Sequence, residues 1–344
     1  MTTPERRREA RSASLIFHAA LVRFGIDTVD DTLDSWQEVT PTPNQVQSTA
    51  VRWLQRIIDV VLGRRSRARD MAFAYYRYHR ALHTGYTLPP LGDEPEGLAA
   101  PLSALRDDFF SQVEDLSPGL LDEDGTLNDS DGVEVTGPPS TDEESVLLEE
   151  VEGLDDERAD LDERAEQEAE VGLFAPVLGL QRKLRELDDE QPAAEVDAER
   201  EEAFDQAGAQ AAAAAERVAL SAARDDLMAA TRRDPRVIGY ARVSGTGSPC
   251  GWCAMLISRG AVYRSAASAT AASSKAANRS EGETFHPNCK CFGEPVYSQE
   301  QYDEDDRFDL NRELQALWPQ VTKRLKGKAA LNAWRTYIRN RNKA

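Results

Sequence analysis

Residues 237–264 read VIGYARVSGTGSPCGWCAMLISRGAVYR, and residues 285–297 read FHPNCKCFGEPVY. The β-branched, alternating VIGYARV predicts a strand over 237–243, and GTGSP at 245–249 is turn chemistry. ISRGAVY predicts a hairpin turn with Arg259 and Gly260 at its tip. The Ala/Ser-rich tract 265–280 between the two stretches has too little complexity to assign as helix or loop. All four cysteines of the chain, Cys250, Cys253, Cys289 and Cys291, lie within these two stretches. Scattered structural thiols would not cluster in this way.

Cys250-Gly-Trp-Cys253 followed by His286-Pro-Asn-Cys289-Lys-Cys291 gives five donors for a tetrahedral metal site. A C-x2-C turn supplies two soft ligands because its amides can point at the sulfurs, and H-x2-C-x-C supplies the other pair. The expected ligands are Cys250, Cys253 and Cys289, with His286 or Cys291 in the fourth position and Zn2+ as the cofactor. Three other readings stand beside this one. The cysteines could pair as disulfides between the two turns, CGWC could be a thioredoxin-like redox site, or the thiols could simply be buried. No H-E-x-x-H or H-x-E with P-C-x-x-C pattern supplies a carboxylate to a metal-bound water, so the predicted zinc is structural. Its role is to staple a module with a small core.

Upstream, AGAQAAAAAERVALSAARDDLMAATRR is rich in strong helix formers and predicts one long helix, assigned 195–235 and ended by Pro235. Before it lies an acidic stretch. Residues 101–200 hold 32 acidic and 7 basic residues, net −25, whereas residues 1–100 come to +1 and 201–344 to +4, within a total of −20. Such composition predicts an acidic linker over 96–194, largely disordered or extended. Within it GLFAPVLGL at 172–180 is an apolar island, read either as a docking segment for a partner or the chain's own core, or as incidental.

The first 95 residues predict a bundle of three helices, over about 4–24, 44–63 and 64–83, with Gly25 and Gly63 as stops. The third carries Arg65, Arg69, Arg77 and Arg80 in a row beside Tyr76, which could bind phosphate or an acidic partner or could be a solvated face. Residues 301–344 predict a further helix with a basic tail, eight cations without an acid from 322 onward. No apolar run approaches membrane-span length and MTTPERRREAR lacks a signal-peptide core, which predicts no membrane and synthesis in a cytosol.

The order VIGYARV, CGWCAMLISRGAVYRS, FHPNCKCFGEPVY resembles the C-terminal module of phage Mu F-like minor head proteins, nearest to those of actinobacterial tailed phages. It covers about 236–297, and SRARDMAFAYYRYHRALHTG (66–85) is similar to the matching N-terminal region. The resemblance implies a minor capsid, head-morphogenesis protein in the virion, at the capsid interior or portal vertex. Its partners would be the portal protein and major capsid or scaffold proteins, met in the host cytoplasm during assembly. Similar proteins are often described as capsid maturation proteases, but with His18, His79, His83 and His286 as the only histidines and no G-x-S-x-G elbow, no residue is assigned to catalysis. A zinc-module nuclease or nucleic-acid-binding protein is the third reading, in which the basic tail contacts packaged DNA. The expected fold is mainly α with a small α+β zinc-bound module at 236–300: bundle, acidic linker, long Ala-rich helix, zinc knuckle and basic C-terminal helix.

Overall fold

A computed structural model describes residues 3–90, 97–122, 125, 127, 144–187, 191–261 and 290–343, and shows a mainly helical chain with two small sheets. Its elements are α1 (Pro4–Trp36), α2 (Val46–Thr84), β1 (Tyr86–Thr87), β2 (Ala99–Pro101), α3 (Leu102–Leu116), β3 (Ser145–Leu148), α4 (Leu154–Glu186) and α5 (Ala193–Arg233). After these come β4 (Gly239–Ser244), α6 (Gly251–Ile257), β5 (Cys291–Val296), α7 (Gln299–Glu304), α8 (Asp309–Val321) and α9 (Gly327–Arg341).

The predicted three-helix bundle is instead built on two long helices. Gly25 does not stop α1, because it serves a close crossing with α5: a Cβ there would lie 3.0 Å from both Glu216 Oε1 and Leu220 Cδ1. Gly63 lies within α2 with open space around it and costs the helix about 1 kcal/mol relative to alanine, too little to break a helix held by packing. By length and composition α1 could cross a membrane, alone among the described helices. However, 56% of its most apolar window is buried inside the protein, as in a core helix.

The expected linker over 96–194 contains two core helices. In α4 the buried positions Leu154, Arg158, Ala165, Ala169, Leu173, Val177, Leu180 and Leu184 recur at helical spacing, while the acids occupy the other face. Mean composition hid this stripe. Its lower half joins Trp36, Trp53, Ile57 and Phe204 in one core, where Trp36 stands edge-on to Trp53 and its Nε1 donates to Phe204 O at 3.1 Å. The apolar island is therefore divided: Leu173, Val177 and Leu180 pack inward, whereas Phe174 and Leu178 are exposed. Helix α3 packs Leu105, Phe109 and Val113 into the core of α1 and α2. A three-stranded sheet in the order β1-β3-β2 closes that end, with β3 parallel to β1 and antiparallel to β2.

Helix α5 ends at Asp234-Pro235, and β4 then pairs antiparallel with β5 from Gly239↔Val296 to Ser244↔Cys291. Both strands are buried throughout. A Cβ on Gly293 would overlap the hydroxyl of Tyr240, so only glycine lets that ring lie across the hairpin. The expected turn at Arg259–Gly260 is a helix end: Met255, Leu256 and Ile257 bury themselves in α6, and Gly260 takes φ +68° to leave it. Residues 262–289, with the Ala/Ser tract, His286 and Cys289, lie outside the described residues. The C-terminal segment is two helices, α8 and α9, with a break at 322–326.

Candidate functional site on the two faces of β5

Successive side chains of a strand point to opposite faces, and β5 uses both. Phe292 and Val296 enter the main core beside α1 and α2, while Cys291 enters a smaller core with Cys253, Leu256, Leu314 and Trp334. One strand thus joins the cysteine module to the N-terminal helices.

On the module face, Cys250 is the exposed N-cap of α6, and its Sγ accepts the Cys253 N–H at 3.4 Å, an arrangement suited to a chelating turn. Cys253 is buried, and the Arg242 guanidinium donates to its Sγ at 3.7 Å. Asn311 Nδ2 donates to Arg242 O at 2.8 Å and Ile257 O at 3.4 Å, binding α8 to both β4 and α6. Asn342 Nδ2 donates to Pro249 O at 3.0 Å and fastens the end of α9 beside the same turn. Three of the five predicted ligands, Cys250, Cys253 and Cys291, therefore belong to one small module; His286 and Cys289 fall outside the described residues. Among the described residues no three His, Cys, Asp or Glu side chains form a metal-holding group.

On the opposite face lies a buried polar cluster that the sequence reading missed. Glu294, His18 and His79 are each nearly fully buried. Tyr75 OH donates to Glu294 Oε1 at 2.5 Å, His79 Nε2 lies 3.3 Å from the same oxygen, and His18 Nε2 lies 3.7 Å from Oε2. Arg307 donates to Ser14 Oγ at 3.1 Å and to His18 Nδ1 at 2.5 Å. Burial pushes the Glu294 carboxyl up to about 7, with Arg307 and Tyr75 opposing. Burial likewise holds His18 and His79 well below the ordinary imidazole range and lowers His83 to about 3, with help from the Arg7 charge. The imidazoles are therefore neutral, so their contacts with Glu294 are not salt bridges, and His18 Nε2 and Glu294 Oε2 are buried without a hydrogen bond among the described residues.

Ser14, His18 and Glu294 superficially form a serine, imidazole and carboxylate set, with Ser14 Oγ 3.4 Å from His18 Nδ1. Because the Nδ1 lone pair receives Arg307, it is not available to take the Ser14 proton. What the cluster can do is hold one proton near neutral pH inside the core. From it a row of rings runs outward, with His79 edge-on to His83 at 4.5 Å and His83 stacked on Tyr297 at 5.4 Å. His83 lines a surface pocket of about 420 Å³ whose arginines Arg7 and Arg11 pair with Glu300, Glu304 and Asp306. The available sequence signal was the spacing Tyr75, His79, His83, four residues apart on one helix, together with a lone Glu in the strand FGEPV.

The predicted partner-facing arginine row points inward, which corrects that expectation. Arg65, Arg77 and Arg80 are buried. Arg65 donates to Ser221 Oγ at 2.6 Å and lies near Asp162 and Asp225, and Arg69 pairs with Asp162. Arg77 bonds Leu88 O at 3.0 Å and Asp108 at 3.1 Å. Arg80 bonds Asp234 at 2.6 Å and also Glu149, while Tyr76 OH donates to Asp234 at 2.6 Å. Carboxylates of the same chain complete the row.

In comparisons with known proteins, the family model described as VG15 protein matches residues 161–334, just over half of the chain. No curated protein and no solved structure matches.

Proposed function

Since the chain belongs to the VG15 protein family, a family of phage-encoded proteins, we propose that it is a minor capsid, head-morphogenesis protein of a tailed phage. It docks at the portal and capsid interior during assembly, with portal and major capsid or scaffold proteins as partners. The family match carries this reading. The matched segment begins in α4, includes all of α5, the β4–β5 hairpin and every residue of the cysteine and histidine motif, and ends at Trp334 at the centre of the small core.

Within that role the proposed function of the cysteine module is mechanical. Four of Cys250, Cys253, His286, Cys289 and Cys291 hold a structural zinc that fixes α6 against β5, and the turn in which Cys250 Sγ accepts the Cys253 N–H suits such a ligand set. Cys250→Ser with Cys253→Ser is expected to remove about one equivalent of zinc per chain by elemental analysis and to lower the melting temperature. Unchanged metal content would overturn the zinc assignment.

The assembly role is tested by quantitative mass spectrometry of purified virions and proheads of the encoding phage, together with co-purification from infected cells. A few copies per particle and recovery with the portal protein are expected. Absence from both particles would refute the role, and loss of capsid-protein cleavage on deleting the gene would favour a maturation protease instead.

A further inference from the structure

The basic tail singled out in the sequence is, in the structure, a hairpin of two helices with an outward cationic face. From residue 314 to 344 the chain has no acid. Lys323, Arg324, Lys326 and Lys328 are exposed in and beside the break between α8 and α9, and Arg335 and Arg339 are exposed on α9. Among the described residues none of these six cations is ion-paired, whereas Arg341 pairs with Glu313 at 2.9 Å. The acids of α8 are taken in the same way, Glu313 by Arg341 and Asp309 by Arg312.

The geometry of this face is set by packing. Lys328, Arg335 and Arg339 follow one another at steps of seven and four residues, which places them on one side of α9 over about 16 Å of helix axis. Trp334 is fully buried and edge-on to Trp318 at 5.0 Å, so the opposite side of α9 is anchored in the small core. Gly251 admits the close approach of α9: a Cβ there would lie 3.1 Å from Arg335 Cα. With Asn342 bonded to Pro249 O, the cationic helix sits rigidly against the cysteine turn.

We propose that this hairpin binds double-stranded nucleic acid through its phosphate backbone, without reading sequence. A row of cations on a rigid helix is the chemistry that displaces condensed counterions from a duplex, and such phosphate contacts carry no sequence information. The protein's overall charge of −20 does not oppose this at close range. Screening limits surface charges to about 8 Å at physiological salt, and within the hairpin both acids are neutralised by arginine. The inference stands independently of the head-assembly role.

The test uses the purified full chain and a fluorescent duplex DNA of about 30 base pairs, read by anisotropy across a salt series. Wild type is expected to bind at low salt, with log K falling against log salt at a slope of about −4 to −5. Lys323→Gln, Arg324→Gln, Lys326→Gln and Lys328→Gln combined with Arg335→Gln and Arg339→Gln should weaken binding by about 100-fold or more. Arg335→Gln with Arg339→Gln alone should reduce the slope by about 2. Circular dichroism and melting temperature report whether the variants remain folded, and the two-site variant serves if the six-site one does not. An unchanged affinity in the folded variants, an absence of binding at low salt, or tighter binding to polyglutamate than to DNA at equal salt would each overturn the proposal. The last would indicate an acidic protein partner.

Discussion

The two cation-rich stretches of the molecule, Arg64 to Arg80 on α2 (net +5) and Lys323 to Lys343 at the C-terminal hairpin (net +8), use their charge oppositely. On α2 Arg65, Arg77 and Arg80 are buried, and together with the partly buried Arg64 and Arg69 they are met by Asp31, Asp108, Glu149, Asp162, Asp225 and Asp234, while Arg67 stays exposed. On the hairpin seven cations face solvent, and among the described residues only Arg341 there has a carboxylate. What separates them is the supply of acids that the fold brings near. Part of the −25 carried by residues 101–200 is countercharge: Asp108, Glu149, Glu157, Asp162 and Glu168 pair with Arg77, Arg80, Arg232, Arg69 and Arg217. Among the described residues the C-terminal hairpin pairs with none of these acids.

The largest expected effect is at the centre of the inward row. Arg80 and Asp234 are both fully buried and joined at 2.6 Å, with Tyr76 and Glu149 completing the network. Arg80→Ala leaves Asp234 charged and buried, so urea denaturation should show a loss of about 3–5 kcal/mol. A loss below about 1 kcal/mol would mean that water reaches the pair and that the row is a surface after all. Arg69→Ala, four residues along from Arg65 but on a half-exposed pair with Asp162, should cost less than about 1 kcal/mol in the same assay.

A second prediction concerns the proton held by Glu294. Its folded-state carboxyl titrates at about 7 against an ordinary 4.5, so the native state binds more protons than the unfolded one between those values. Stability from this group therefore falls as pH rises through that window. The buried histidines act in the opposite sense, because their lowered values mean that acidification below about 6.5 favours the unfolded chain. Glu294→Gln removes the first contribution and leaves the second. Between about pH 5.5 and about pH 8 the stability of the variant relative to wild type should shift in its favour by about 2 kcal/mol. A difference independent of pH would show that Glu294 is ionised throughout and held so by Arg307.

These contrasts explain what the sequence made legible. Long α5 and the strand preceding the cysteine turn were readable because helix propensity and β-branched alternation act locally. The grouping of Cys250, Cys253 and Cys291 was readable from spacing. Helix α4 was not, since its buried positions include Ala165, Ala169 and Arg158, which carry little weight in an average dominated by acids. The direction of the α2 arginines depended on Asp162, Asp225 and Asp234, up to 160 residues away, and no local pattern contains such partners. Glu294 and His79 are likewise 215 residues apart in sequence and 3.3 Å apart in space.

The smallest predicted effect completes the comparison from the other side. If the hairpin cations are uncompensated, removing them should not destabilise the fold, because no buried carboxylate is left behind. Lys323, Arg324, Lys326 and Lys328 lie within six residues, so their mutual repulsion makes Gln replacements neutral or slightly stabilising, within about 0.5 kcal/mol. That gain should shrink on raising salt toward about 1 M, where the screening length falls to about 3 Å. Arg80→Ala should keep its full effect in the same salt series, since the buried pair with Asp234 is hardly screened. A hairpin variant that lost stability comparable to Arg80→Ala would show that these side chains have counter-charges within the chain, and that both cation-rich stretches belong to the fold.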